Sequence, residues 1–279
     1  LKHLAQEQQM SQWHANTGPN SPTARGRTLR LAVWNCNMAL HKKLDALASL
    51  CADVAVICEC AKPEIVRLKS KGRLPESVVW VGDNKDKGIA VIGIGPWRTR
   101  IDEAYDSSIR HLVPVHVDGP TPFSLLAVWA FSCGQNYDEI GRGPLARALT
   151  RYEDFCKQSP LVVAGDFNNN AIWSKPGNKT HSHAADVAKL EKGGVFSAYH
   201  HQRNVAQGQE PEPTLYWRDR KLDGPRYHID YIFAPTDWKQ GLRNIEVGDF
   251  ETWVGSGLSD HVPLIAQFEF ERSDPPRVP

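Results

Sequence analysis

Leu161-Val162-Val163-Ala164-Gly165-Asp166-Phe167-Asn168-Asn169-Asn170 joins an uninterrupted apolar run to a glycine, a carboxylate and three amides. A continuous Leu/Val/Val/Ala run reads as a strand covered on both faces, and Asp166 stands where that strand leaves its sheet. Gly165 allows another backbone to approach closely. A carboxylate with an amide two residues on can take a proton from water while the amide steadies an oxyanion. The plainer alternative is an Asn-rich turn that caps the next helix.

Working outward, Leu29 to Asn35 reads as a first strand. Leu40, Leu44, Leu47 and Leu50 then recur at helical spacing before a second buried strand, Asp53 to Cys58. Val78 to Ile94 predicts a hairpin around the Gly82 to Gly88 loop, and His111 to Val117 with Phe123 to Ala130 a second one. Ile140 to Cys156 has helical periodicity, and His181 to Leu190 is a second short helix. Further strands are expected at Val195 to His200, Thr214 to Trp217, Tyr227 to Ala234, Ile245 to Val247 and Val262 to Phe270. Strands outnumber helices and no repeat is visible. The expected class is therefore α/β (α+β), with two mixed, mostly antiparallel sheets packed face to face and flanked by helices.

The chain has 279 residues with 41% apolar and 23% charged content, ordinary for a globular domain. Residues 1–28 are polar without an apolar leader segment and read as a flexible arm, 29–271 as one folded domain, and 272–279 as a flexible tail. No run is long and apolar enough to span a bilayer. A net charge of +1 gives no bulk attraction to polyanions, so any nucleic-acid site must be a local patch. The six cysteines lie mostly in or beside apolar runs without paired zinc spacing, which points to a reducing, cytoplasmic location; a monomer is expected.

Three other stretches carry polar chemistry at strand ends. Trp34-Asn35-Cys36-Asn37 closes the first strand with amides, and Glu59 directly follows the second. A carboxylate after a buried strand needs a partner, either a metal or a neighbouring Lys or Arg. Tyr227-His228-Ile229-Asp230-Tyr231 alternates so that His228 and Asp230 share one face, and Ser259-Asp260-His261 sets an acid beside an imidazole. A buried Asp230 would orient His261, while Glu59 and Asp260 would hold a hard divalent cation, with Mg²⁺ suited and Mn²⁺ an alternative.

The ordered series Trp34-Asn35, Glu59, Gly165-Asp166-Phe167-Asn168, His228-Ile229-Asp230-Tyr231 and Ser259-Asp260-His261 resembles the endonuclease/exonuclease/phosphatase (DNase I-like) superfamily. Pro213-Thr214-Leu215-Tyr216-Trp217 resembles the family's Thr-aromatic-Trp strand. The resemblance implies a four-layer α/β sandwich. It also implies a metal region at Asn35, Glu59 and Asp260, with Glu59 the principal ligand. Asp166 would orient or deprotonate water, Asn168 would hold the phosphate, and His261, aligned by Asp230, would stabilise the phosphorane oxygens.

Two departures stand out. Where many members carry a His or Tyr, this chain has Trp129, which cannot donate a proton to an alkoxide, so the usual leaving-group or phosphate contact is either absent or supplied by Tyr137 or His116. His228 replaces the basic residue that precedes the aspartate in abasic-site nucleases and argues against that repair activity. Trp129 also offers a flat face for a base, and Trp217 interleaves with Arg218, Arg220, Lys221 and Arg226 beside the expected site. Trp129, Tyr137, Trp217, Arg218 and His228 are thus the substrate-contact candidates. His181, His183, His200 and His201 read as surface or hydrogen-bonded groups, and Arg142, Arg147 and Arg151 as a solvated helix face. The expected function is a Mg²⁺-dependent phosphodiesterase or endonuclease acting on a phosphate-ester substrate such as nucleic acid. The alternatives are a phosphomonoesterase on a sugar, inositol or lipid phosphate, and a silent binding module of the same fold.

Overall fold

The computed structural model describes residues 27–130, 143–158, 160–174 and 182–271. In chain order the strands are β1 (Arg27–Asn35), β2 (Val54–Cys60), β3 (Ser77–Asn84), β4 (Lys87–Gly93), β5 (Arg98–Ile101), β6 (Leu112–Asp118) and β7 (Phe123–Trp129). They continue as β8 (Leu161–Asp166), β9 (Val195–Ser197), β10 (Leu215–Tyr216), β11 (Arg226–Tyr227), β12 (Asp230–Pro235), β13 (Leu242–Val247) and β14 (Leu264–Phe270). The α-helices are α1 (Leu44–Ser49), α2 (Pro63–Ser70), α3 (Pro144–Arg151), α4 (Glu153–Cys156), α5 (His183–Lys192) and α6 (Ala198–Arg203).

The strands form two six-stranded sheets, ordered β13-β14-β1-β2-β4-β3 and β5-β6-β7-β8-β12-β9, with β10-β11 as a separate pair. Both large sheets are mixed. β1 runs parallel to β2 and β7 parallel to β8, and the remaining pairs are antiparallel. A parallel pair needs a crossover, and α1 lies in the first connection and α3 and α4 in the second.

Side-chain alternation turns these sheets into layers. Leu29, Leu31 and Val33 of β1 join Val54 and Val56 of β2 and Leu125, Ala127, Val162, Ala164 and Ile232 of the other sheet in one core between the sheets. The intervening Ala32, Trp34, Ala55 and Ile57 pack outward with Leu44, Leu47 and Val66 from α1 and α2. On the opposite flank Leu126, Val128, Val163, Tyr231 and Phe233 pack with Leu149, Phe155 and Leu190 from α3, α4 and α5. Three apolar layers between four layers of structure make the expected sandwich.

Several boundaries differ from the sequence reading. The Tyr227 to Ala234 strand is broken into β11 and β12, because the N–H groups of Ile229 and Asp230 donate to Thr214 Oγ1 at 3.0 and 3.1 Å instead of entering a ladder. His228 and Asp230 therefore do not share the face of one strand. Val195 to His200 is strand only as far as Ser197, and α6 follows. The Ile140 to Cys156 helix is observed from Pro144 and is split at Tyr152; the part before Gly143 lies outside the described residues. β5 was not expected, since Arg98-Thr99-Arg100-Ile101 is a polar edge strand with little apolar signal. Among the described residues no helix is long and apolar enough to cross a membrane.

Candidate active site

The inner faces of both sheets end in polar residues on the same side of the sandwich. Asn35 continues the inward series of Leu29, Leu31 and Val33, and its Cα pairs with Cys58 at the end of β2. Asp166 continues the inward series of Val162 and Ala164, and Asp230 precedes Ile232 and Ala234. Asp166 pairs with Asp230 across β8 and β12 and with Trp129 across β8 and β7. Gly165 makes this join feasible. It has φ +146°, and a Cβ there would lie 1.8 Å from the Val128 carbonyl oxygen.

Three of the expected catalytic side chains meet in this gap. Asp166, Asp230 and His261 are buried, and potential ligand atoms of the three lie within 4.8 Å of one another. Asp230 Oδ2 is 2.8 Å from His261 Nδ1. Burial pulls the imidazole pKa down, but the charge and hydrogen bond of Asp230 outweigh it and raise the group to about 10. His261 is therefore an imidazolium at neutral pH. Asp166 is pushed up to about 7, first by burial and then by the Asp230 charge. Its Oδ1 accepts from Asn168 N at 2.8 Å, and its Oδ2 accepts from Asn35 Nδ2 and from Asn168 Nδ2, each at 3.0 Å. Asn168 reaches back this way because it adopts φ +46°, a conformation asparagine tolerates well. Thr214, fully buried, fixes the backbone of Asp230, and its own carbonyl accepts from Val262 N at 2.9 Å. Thr214 thus ties Asp230, through its hydroxyl, to the segment that carries His261, through its carbonyl.

The residues expected to hold metal form an adjoining group. Asn37 stitches it together, donating N–H to Asn35 Oδ1 at 3.0 Å and Nδ2 to Asp260 Oδ1 at 2.9 Å. The Met38 N–H donates to the Glu59 carbonyl at 2.9 Å. Asn37, Met38 and Ala39 all have positive φ, a strained run whose carbonyl at Asn37 accepts from Lys43 Nζ at 3.2 Å. Glu59 Oε2 lies 3.0 Å from Lys87 Nζ, and Asp260 Oδ2 lies 3.7 Å from Arg220 Nη2. Each carboxylate thus faces a cationic side chain, and the donor set is hard oxygen, which fits Mg²⁺. The tighter Asp166, Asp230 and His261 cluster also offers ligand atoms. Among the described residues no hydrogen-bond donor reaches the buried Asp230 Oδ1.

Other candidates are placed elsewhere. Trp129 lies in the core between the sheets at 2% exposure, its ring 4.6 Å from the His111 ring and tilted 42° to it, and presents no open face to a base. His116 pairs with Ser124 near the opposite end of β6, with Nε2 2.6 Å from Asp102 Oδ2, and is not positioned as a proton donor at the Asp166 end. Tyr137 lies outside the described residues. His228 is buried against Tyr199 at 4.2 Å, with Nδ1 2.8 Å from the Glu212 carbonyl, and burial lowers its pKa. His183 is buried and hydrogen-bonded to Gln207, and the half-buried His200 is hydrogen-bonded to Ser197 and Glu210. Arg151 pairs with Asp106. Cys58 and Cys60 are fully buried, and burial drives both thiols upward, so they remain neutral packing groups.

Trp217 does sit beside the cluster, and is exposed. Its neighbour Leu215 bridges to His261, and the Arg218 guanidinium stacks 4.0 Å from its ring. Two residues not foreseen from the sequence complete a surface strip: Tyr227 lies 6.3 Å from Trp217 and 4.9 Å from the exposed Trp173. Trp173 follows the Asn-rich loop by three residues; an aromatic in a polar loop was the available signal. Lys87 and His111 were also missed, since only the sheet pairing brings them to this end.

No family model and no curated protein matches the chain. Among solved structures it is similar to the 3′ phosphatase NExo from Neisseria bound to product DNA hairpin, at 18% identity and TM-score 0.59, covering 87% of this chain and 100% of that one. It is similar to an AP endonuclease from Archaeoglobus fulgidus at 17% identity and TM-score 0.60, again covering 87% and 100%. The endonuclease/exonuclease/phosphatase from Beutenbergia cavernae DSM 12333 matches at 17% identity and TM-score 0.57, covering 88% of this chain and 72% of that one. Those likenesses, together with the layers and sheet orders described above, show that the chain adopts the four-layer fold of the endonuclease/exonuclease/phosphatase (DNase I-like) superfamily.

Proposed function

We propose that this protein is a phosphodiesterase acting on nucleic acid. The observation that carries the reading is the buried Asp166, Asp230 and His261 cluster at the gap between the sheets. Asp166, pushed up to about 7, is matched to taking a proton from water near neutral pH. His261, kept charged by Asp230, donates hydrogen bonds to the oxygens on which charge accumulates as water attacks phosphorus. Asn168 holds Asp166 from both sides, and its remaining amide oxygen takes a donor from the water. A divalent cation, with Mg²⁺ suited to the oxygen donors of Glu59, Asn35 and Asp260, supplies further neutralisation of phosphate charge when bound.

Nucleic acid is favoured by the Trp217, Tyr227 and Trp173 strip beside basic Arg218, Arg220 and Lys221, since flat rings with cations track a strand by stacking and charge. Removal of a terminal phosphate is the second reading, supported by the description of one structural neighbour as a 3′ phosphatase bound to DNA. The unpaired state of the described cysteines accords with a reducing cytoplasmic setting. The test is a panel of plasmid, single-stranded oligonucleotide, RNA and 3′-phosphorylated oligonucleotide with Mg²⁺ and with EDTA. Mg²⁺-dependent cleavage lost in His261→Ala is expected. Inertness toward every substrate, or full activity in His261→Ala, would overturn the reading.

A further inference from the structure

Lys87 opens β4, where Ile89 and Val91 face the core between the sheets and Ala90 and Ile92 face outward. By the same alternation Lys87 faces the gap, at the end where β4 meets the close of β2. Its ammonium lies 3.0 Å from Glu59 Oε2 and 5.4 Å from the centroid of the Trp129 ring, which belongs to the opposite sheet. Glu59 comes to meet it through a bulge. The register shifts between Cys58 and Cys60, and Glu59 adopts φ +57°. Without that bulge Glu59 would follow Ile57 to the outer face. The backbone strain is thus spent on directing a carboxylate toward the gap.

We propose that Lys87 is an exchangeable counter-ion. It neutralises Glu59 until a divalent cation takes that carboxylate, and the released ammonium then binds a phosphate oxygen of the substrate. This inference rests on the phosphoesterase reading above. Charge supports the exchange. Glu59 and Lys87 cancel each other, and an arriving dication leaves a surplus that an anionic phosphate offsets. Geometry supports it as well. The pair is only partly covered, at 19% exposure for Glu59 and 32% for Lys87, so the contact is weak enough to break. A lysine head on a four-carbon stem swings between partners, and the Trp129 face gives it a resting place near Asp166, whose Cα pairs with Trp129. A cation at this position also supplies charge beside the leaving oxygen, where Trp129 has no proton to give.

The test is Mn²⁺ binding by calorimetry, without substrate, to wild type, Lys87→Met and Lys87→Arg, each checked for folding by circular dichroism. Removing the competing ammonium should tighten Mn²⁺ binding about fivefold, the upper worth of a partly exposed pair. Lys87→Arg, whose fork grips a carboxylate more firmly, should weaken it. Inorganic phosphate, titrated into the Mn²⁺-loaded proteins, should bind about tenfold more weakly to Lys87→Met than to wild type. Unchanged or weaker Mn²⁺ binding in Lys87→Met, or Mn²⁺ binding in Lys87→Arg equal to or tighter than wild type, would overturn the exchange. Unchanged phosphate binding would overturn the hand-over. Because both readouts are binding constants, a protein that shows them and yet hydrolyses no phosphate ester would sink the proposed function and leave the exchange standing. Active enzyme with unaltered Mn²⁺ affinity would do the reverse.

Discussion

Asp230 Oδ2 lies 2.8 Å from His261 Nδ1, and neither side chain is more than 5% exposed. A buried imidazolium is stable only because that carboxylate is present. The His261 pKa of about 10 stands above its ordinary 6.5, so the pair's contribution to stability is complete below pH 6.5 and is lost as pH rises toward 10. Asp230→Asn should cost about 3 to 5 kcal/mol at pH 6, since it strands a buried partner. The stability of the variant should also vary less than that of wild type between pH 7 and 10. Urea denaturation across that range measures both; parallel curves for the two proteins would show that Asp230 does not hold the charge on His261.

Asp166 carries a prediction about rate. As a base it must lose its proton, and burial with the Asp230 charge places that loss near pH 7. kcat/KM should therefore rise through about 7 and fall again as His261 deprotonates toward 10. The two limbs belong to the coupled cluster, not to single residues, and a bound cation moves the acid limb downward. An acid limb that persists unshifted in Asp166→Asn at the same saturating Mg²⁺ would remove Asp166 from the role of base.

Thr214 touches no expected substrate, yet its hydroxyl receives the N–H groups of Ile229 and Asp230. Thr214→Val leaves both buried donors unpaired, at about 1 to 3 kcal/mol each, and should lower kcat more than it raises KM. Thr214→Ser keeps the oxygen and should restore kcat. Equal kcat values in the Val and Ser variants would limit Thr214 to packing.

Gly165 is sterically fixed. A methyl group would sit 1.8 Å from the Val128 carbonyl oxygen at φ +146°, so β7 and β8 must separate to accept it. Gly165→Ala should destabilise the fold by several kcal/mol, about 3 or more, and abolish activity even where some folded protein remains. Thermal melting of the variant within a degree or two of wild type would contradict this packing.

The aromatic strip separates binding from chemistry. Trp217→Ala and Trp173→Ala should each weaken binding of a single-stranded oligonucleotide by about 1 to 3 kcal/mol while leaving hydrolysis of a small aryl phosphodiester intact. Fluorescence anisotropy with a labelled oligonucleotide reads the first effect. Parallel losses on both substrates would assign the tryptophans to the fold instead.

The sequence by itself determined most of the strands and the polar residues that end them. The apolar runs to Asn35 and to Asp166 are local properties, so both strands and their polar ends were legible before any fold, while the faces on which Asn35 and Asp166 lie came with the packed sheets. The order of the polar strand ends was equally legible. Tertiary structure alone decided what met across the gap. Glu59 lies on the wrong parity for the gap, and only a bulge set by the pairing of β2 with β4 brings it to Lys87. Tyr227 to Ala234 alternates convincingly, yet Thr214 captures the N–H groups of residues 229 and 230, splits the strand and sends His228 into a buried aromatic pocket. Trp129 reads as a binding face in one strand and becomes core once the second sheet covers it. Periodicity is a short-range property of the chain. Which carboxylate acquires which cation depends on residues such as Asp230 and His261, 31 positions apart, that only the packed sheets bring together.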